Sequence, residues 1–162
     1  MRAEALGRKD GFGRELFLVS VSEPRALIGF EAPAAHFACL LVWDSKEAEG
    51  NDIDDVGGTL LSAGACYVCA WGNDCERLHD YVDCIIVDPH SSSSRALEVI
   101  TTWHARDPLL GALWFVMFCA CPADTFAEQC LACVLVVIGS TEYEAQLRGA
   151  ALSMDREASP GE

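Results

Sequence analysis

Basic residues are scarce in this 162-residue chain: 11 Lys and Arg stand against 25 Asp and Glu, a formal charge of −14. Nucleic-acid affinity comes largely from cations that meet phosphates and release counterions. This balance argues against a nucleic-acid partner. Arg2, Arg8, Lys9 and Arg14 form only a thin basic N-terminal arm. Long apolar runs are also missing. The longest uncharged one, "LLGALWFVMFCACPA" from Leu109 to Ala123, is broken by Gly111 and Pro122. It falls short of the roughly 18–20 residues a membrane span needs, so it reads as a buried helix and no membrane partner is expected. The opening "MRAEALGRKDGFGRELF" has charges throughout and no apolar h-region, which points to the cytoplasm. No glycine-rich phosphate cradle is present, since Gly57-Gly58 and the single Gly72 make neither a P-loop nor a dinucleotide fingerprint. The Ser91–Ser94 run lacks the G-x-S-x-G context of a hydrolase nucleophile. Internal repeats are absent too.

What remains is an ordinary globular composition, with 51% hydrophobic and 22% charged residues. The length fits one domain. Residues 1–14 read as a flexible arm, 15–154 as a single α/β domain, and 155–162 as a disordered tail. Five runs read as strands: "ELFLVSV", "FACLLVW", "ACYVCAW", "CIIVD" and "CLACVLVVIG". "FACLLVW" is almost continuously apolar, the pattern of a strand covered on both faces in a parallel sheet. "CLACVLVVIG" is the most β-branched run and should be central. Helical spacing marks "DIDDVGGTLLSAG", "NDCERLHDYVD" and "RALEVITTWHAR", and a terminal helix is opened by a Thr141–Glu144 capping box. Strands alternating with helices predict a three-layer α/β fold: a mostly parallel sheet of about five strands with helices on both faces. The first connection lacks a helix, so the first strand is expected at an edge or antiparallel.

Nine cysteines attract attention, four of them in "GACYVCAWGNDCERLHDYVDC", Gly64 to Cys84. Without an export signal, reduced thiols are the expected state. Cys66-x-x-Cys69 and Cys130-x-x-Cys133 have the spacing of zinc half-sites, but both pairs fall inside strands. Alternation there should turn residues three apart to opposite faces. Cys75 and His79 could share a helix face, yet acids flank them and no oxyanion donor is evident. Packing is the expected role of the thiols.

Position gives the sharper candidates. Open parallel sheets bind ligands at the carboxyl ends of their strands. Asp44, Asp74 and Asp88 follow three predicted strands, and Trp71 ends one of them, so these four form a candidate rim site. Three converging carboxylates could hold Mg²⁺ and support phosphoryl chemistry. The competing reading makes Asp74 a helix cap and the other two ordinary loop residues, and no cofactor is expected. A second candidate surface is the acidic strip Asp44–Asp55, with Glu47, Glu49, Asp52, Asp54 and Asp55. It suits a basic protein partner, with the charge logic of immunity and antitoxin-like proteins. A binding or regulatory module is thereby favoured over a Mg²⁺-dependent enzyme or a homo-oligomer subunit built on Leu109–Cys121.

The blocks "LLVWDS", "LLSAGACYVCAWGNDCERLHD", "ALWF" and "VVIGS" resemble a family of small bacterial proteins defined by a domain of unknown function. The resemblance runs from about Leu16 to Leu152. Its most characteristic stretch is Tyr67-x-Cys69-x-Trp71-Gly72-x-Asp74-Cys75-Glu76. It implies a bacterial, cytosolic α/β protein and assigns no activity.

Overall fold

The computed structural model describes residues 1–8, 12–88 and 98–157, with side chains described through residue 153. The strands are β1 (Glu4–Arg8), β2 (Glu15–Val21), β3 (His36–Trp43), β4 (Ala65–Trp71), β5 (Ile100–Trp103) and β6 (Cys130–Ile138). The helices are α1 (Gly50–Ser62), α2 (Cys75–Val87), α3 (Leu109–Phe118), α4 (Asp124–Ala127) and α5 (Thr141–Glu157), with a 3₁₀ turn at Pro24–Leu27. The strands form one six-stranded sheet in the order β1-β2-β6-β3-β4-β5. β1 runs antiparallel to β2, and every other pair is parallel.

Helices cover both faces, so this is the three-layer α/β fold. Side chains alternate across the sheet. On one face Leu16, Leu18, Ala38, Leu40 and Val42 pack under α3 and α5. On the other, Val19, Val21, Phe37, Cys39 and Leu41 pack under α1 and α2. Covering both faces explains the apolar continuity of β3 and β6. Phe37, Leu40 and Leu135 are all 0% exposed, and each such burial is worth about 1.5–3 kcal/mol. β6 sits centrally, as its composition predicts.

Several local expectations are corrected. "CIIVD" is the last turn of α2 and not a strand. Cys75, Leu78, Val82 and Ile86 are buried at helical spacing, so the inward face continues straight through the apolar run. The segment "RALEVITTWHAR" contains β5 in place of a helix. Its β-branched "ITT" fits a pleated edge, and Ile100–Trp103 pairs with Tyr67–Ala70. His90 and Ser91–Ser94 lie outside the described residues. The lead-in of residues 1–14 carries β1, which places β2 inside the sheet and parallel to β6. α5 runs to Glu157, into the span read as a tail. The cap of α5 falls one residue early: the Tyr143 N–H donates to Ser140 Oγ at 3.2 Å.

The cysteine geometry is also corrected. Bulges interrupt the register at Cys66, where Phe37↔Ala65 is followed by Ala38↔Tyr67, and at Leu131, where His36↔Cys130 is followed by Phe37↔Ala132. Each bulge resets the alternation. Cys66, Cys69, Cys130 and Cys133 therefore all join the core under α3 and α5. All nine cysteines are free.

Candidate functional site

The chain leaves β3 for α1 on one face of the sheet and leaves the neighbouring β6 for α5 on the other. Helices diverging from adjacent strands open a crevice at the carboxyl rim. Two turns are fastened together there. Asp44 Oδ1 accepts the Asn73 N–H at 2.8 Å, and the Ser45 N–H donates to the Asn73 carbonyl at 3.0 Å. Ser45 is fully buried. Arg77 donates to the carbonyls of Ser45 and Ala48, locking the start of α2 to the same turn. The close approach depends on Gly72, whose φ is +124°; a Cβ there would lie 2.3 Å from the Trp43 carbonyl oxygen. Asp74 follows in the left-handed region, at φ 65° and ψ 30°, a conformation aspartate tolerates better than most residues.

Above these turns lies a cleft of about 350 Å³ lined by Asp44, Trp71, Asn73, His104, Asp107 and Tyr143, among others. The Trp71 and Tyr143 rings meet edge to face with centroids 5.0 Å apart. The Tyr143 hydroxyl donates to Asp44 Oδ2 at 3.1 Å. Burial, reinforced by Asp44, pushes the Tyr143 phenol above its ordinary range and keeps it a donor. On the opposite wall the Trp71 indole N–H donates to the Asp107 carbonyl at 2.8 Å. His104 is buried against Phe115, its Nδ1 2.7 Å from Asp107 Oδ2 and its Nε2 3.3 Å from the Thr102 hydroxyl. Both ring nitrogens are thus engaged, which makes His104 a strut for Asp107. The Asp107 side chain is 53% exposed and Asp44 is also exposed, so two carboxylates reach solvent beside two aromatic rings.

A family model described as a domain of unknown function, DUF7684, matches residues 17–153. The chain belongs to this family. The match runs from β2 into α5 and so includes every residue of the cleft, in line with the resemblance drawn from the sequence. No curated protein and no solved structure matches.

Of the rim residues expected from sequence, the DUF7684 fold brings Asp44 and Trp71 into one cleft, with Asp74 two residues beyond Gly72 at the head of α2. Asp88 is corrected. It follows the last turn of α2, and a 13-residue helix separates it from Asp74 by about 20 Å at 1.5 Å per residue. The three carboxylates therefore cannot share one Mg²⁺. Among the described residues, no group of three or more His, Cys, Asp or Glu side chains is arranged to hold a metal ion.

The acidic strip is divided. Glu47 and Glu49 are exposed in the β3–α1 connection, near the cleft. Asp52 faces Arg25 at 3.5 Å. Asp54 and Asp55 line a separate groove beside Phe30. Sequence reasoning missed His104, Asp107 and Tyr143. Reading "ITTW" as a strand would have placed His104 and Asp107 directly at its carboxyl end.

At the far end of the DUF7684 sheet, the Cys66 thiol donates to the Phe37 carbonyl at 3.4 Å, and Cys66 and Cys130 influence each other's ionisation. The neighbouring Cys66 thiol, with the Arg14 guanidinium alongside, lowers Cys130 to about 7, while Cys66 is pushed up. Burial raises Cys69 to about 12 and leaves it inert at neutral pH.

Proposed function

We propose that this protein is a binding module whose rim cleft accepts a cationic side chain, lysine or arginine, from a basic protein partner. The observation that carries the proposal is the pairing of the Asp44 and Asp107 carboxylates with the Trp71 and Tyr143 rings in one cleft. A guanidinium or ammonium gains from both components. Cation–π contact contributes about 0.5–2 kcal/mol, and the two solvent-reaching carboxylates add charge-assisted hydrogen bonds. Glu47 and Glu49 extend the negative field beside the cleft, and the −14 charge of the chain would steer a basic partner towards it. The same charge logic suits an immunity- or antitoxin-like role in a bacterial cytoplasm.

Isothermal titration with short arginine-rich and lysine-rich peptides, at low and high salt, tests this. Saturable binding that weakens with salt and is lost in Asp44→Asn/Asp107→Asn supports the cleft. Absence of binding at low salt, or undiminished binding by the double variant or by Trp71→Ala, would overturn it.

A further inference from the structure

α3 contains no charged residue in its sequence LLGALWFVMF. Its inner side packs Leu109, Ala112, Leu113, Val116 and Met117 into the core. Its outer side is apolar as well: Leu110 is 50%, Trp114 56% and Phe118 47% exposed. Spacing of four places the three on one stripe, and Trp114 touches Phe118 with ring centroids 5.8 Å apart. The stripe continues to Leu131, 55% exposed, across a cleft of about 280 Å³ that Phe12, Met117, Phe118 and Leu131 help to line. Together these four side chains leave on the order of 400 Å² of apolar surface open, a patch size that marks an interaction site on a soluble chain. A stable interface takes roughly 800 Å² per partner, about 65% of it apolar when the partners are identical. The patch supplies most of that apolar share.

We propose that a second copy of this chain covers the stripe, with the two α3 helices antiparallel about a two-fold axis at Trp114. Charge selects this occupant and this orientation. The net charge of −14 repels a second copy, whereas the stripe bears no acid. Exposed Arg106 stands before the N-terminal end of α3, and exposed Asp124 and Glu128 stand beyond its C-terminal end. None of the three has an ion-pair partner among the described residues. Antiparallel pairing sets Arg106 of each copy towards Asp124 and Glu128 of the other. It also puts Leu110 of each copy opposite Phe118 and the apolar cleft beside it. None of Leu110, Trp114, Phe118 and Leu131 lines the rim cleft, so this inference stands apart from the proposed cation site.

Sedimentation velocity in reducing buffer, at tens of micromolar protein, tests it; the reductant keeps exposed Cys119 and Cys121 from cross-linking. The wild type is expected at about 35 kDa, twice the chain mass of 17.5 kDa. Trp114→Glu and Leu110→Lys should each yield a monomer with unchanged circular dichroism, while Leu152→Glu, at an exposed leucine on α5, should stay dimeric. Arg106→Glu should weaken the dimer, and adding Asp124→Arg with Glu128→Arg should restore it. A monomeric wild type, a dimer that survives both stripe variants, or a charge swap that fails to restore association would each overturn the proposal.

Discussion

Substituting Gly72 by alanine isolates the contact on which the rim depends. The new Cβ would stand 2.3 Å from the Trp43 carbonyl oxygen, 2.7 Å from its carbon and 3.2 Å from the Asp44 nitrogen. These are backbone atoms of a buried strand end, so no side-chain rotation relieves the overlap. Moving the backbone costs about 1–3 kcal/mol, and holding an alanine at a φ of +124° adds about 1–3 kcal/mol. The expected loss is about 2–6 kcal/mol, or roughly 5–20 °C in Tm for a chain of this size. Gly58→Ala supplies the contrast: a Cβ on this α1 glycine meets nothing within 4 Å. It should stabilise by about 0.5–1 kcal/mol through helix propensity alone. Thermal and urea melts followed by far-UV circular dichroism measure both. If Gly72→Ala melts with the wild type, the tight apposition of the β3 and β4 ends is wrong, and so is the cleft built on it.

Three further outcomes follow from the packing. Arg14 donates to the carbonyls of Cys130, Val116 and Ala120 at 3.1, 3.4 and 2.9 Å; Arg14→Met should cost about 2–4 kcal/mol in urea melts by stranding those acceptors, and Arg14→Lys should recover only part of it. Leu113→Ala empties a site that is 0% exposed and should cost about 2–5 kcal/mol. Absorbance titration of thiolates should show one proton leaving the folded chain near pH 7, below the ordinary thiol value of 9.0, because Cys66 and then Arg14 stabilise the Cys130 thiolate; Cys66→Ala should raise that midpoint. Between those two values the unfolded chain keeps a proton that the folded chain has released. Stability from this group therefore rises as pH climbs from about 7 towards 9 and is lost as pH falls through 7. A midpoint unmoved by Cys66→Ala would refute the pairing.

The layers of the fold were legible because β3, β4 and β6 carry the apolar continuity that double-sided burial demands. Ambiguity entered where an apolar run was short. "CIIV" has the composition of a strand, yet its inward positions continue the spacing of Cys75, Leu78 and Val82, and only the neighbouring sheet reveals which period is in force. "ITTW" was hidden by the opposite error, since its strand pairing with β4 is non-local. One misplaced strand removed His104 and Asp107 from the rim, and one misplaced helix end added Asp88 to it. The cysteine faces were misjudged for a smaller reason. A bulge of one residue in β4 and another in β6 inverts an alternation argument without leaving a mark in composition.

The helix starts decide which charge the rim suits. Parallel α/β folds usually hold anions at this rim, because helix N-termini present free N–H groups and a partial positive charge. Here the helices that begin at the rim bring acids with them. Asp52 lies in the first turn of α1, Glu76 in that of α2, and Glu142 and Glu144 in that of α5. Asp107 precedes α3 by two residues. Each carboxylate offsets the dipole at its own helix start, which stabilises the fold and also removes the attraction for phosphate. Asp44 then takes the Asn73 amide that a bound anion would otherwise use. A rim whose Asn73 amide is already taken, and whose exposed Asp44 and Asp107 carboxylates keep acceptor capacity beyond the bonds to Tyr143 and His104, is suited to a cation, and the Trp71–Tyr143 pair gives that cation an aromatic wall. Phosphate and an arginine peptide should therefore part company in titration: the peptide binds the cleft, and inorganic phosphate neither binds it nor displaces the peptide beyond its effect on ionic strength.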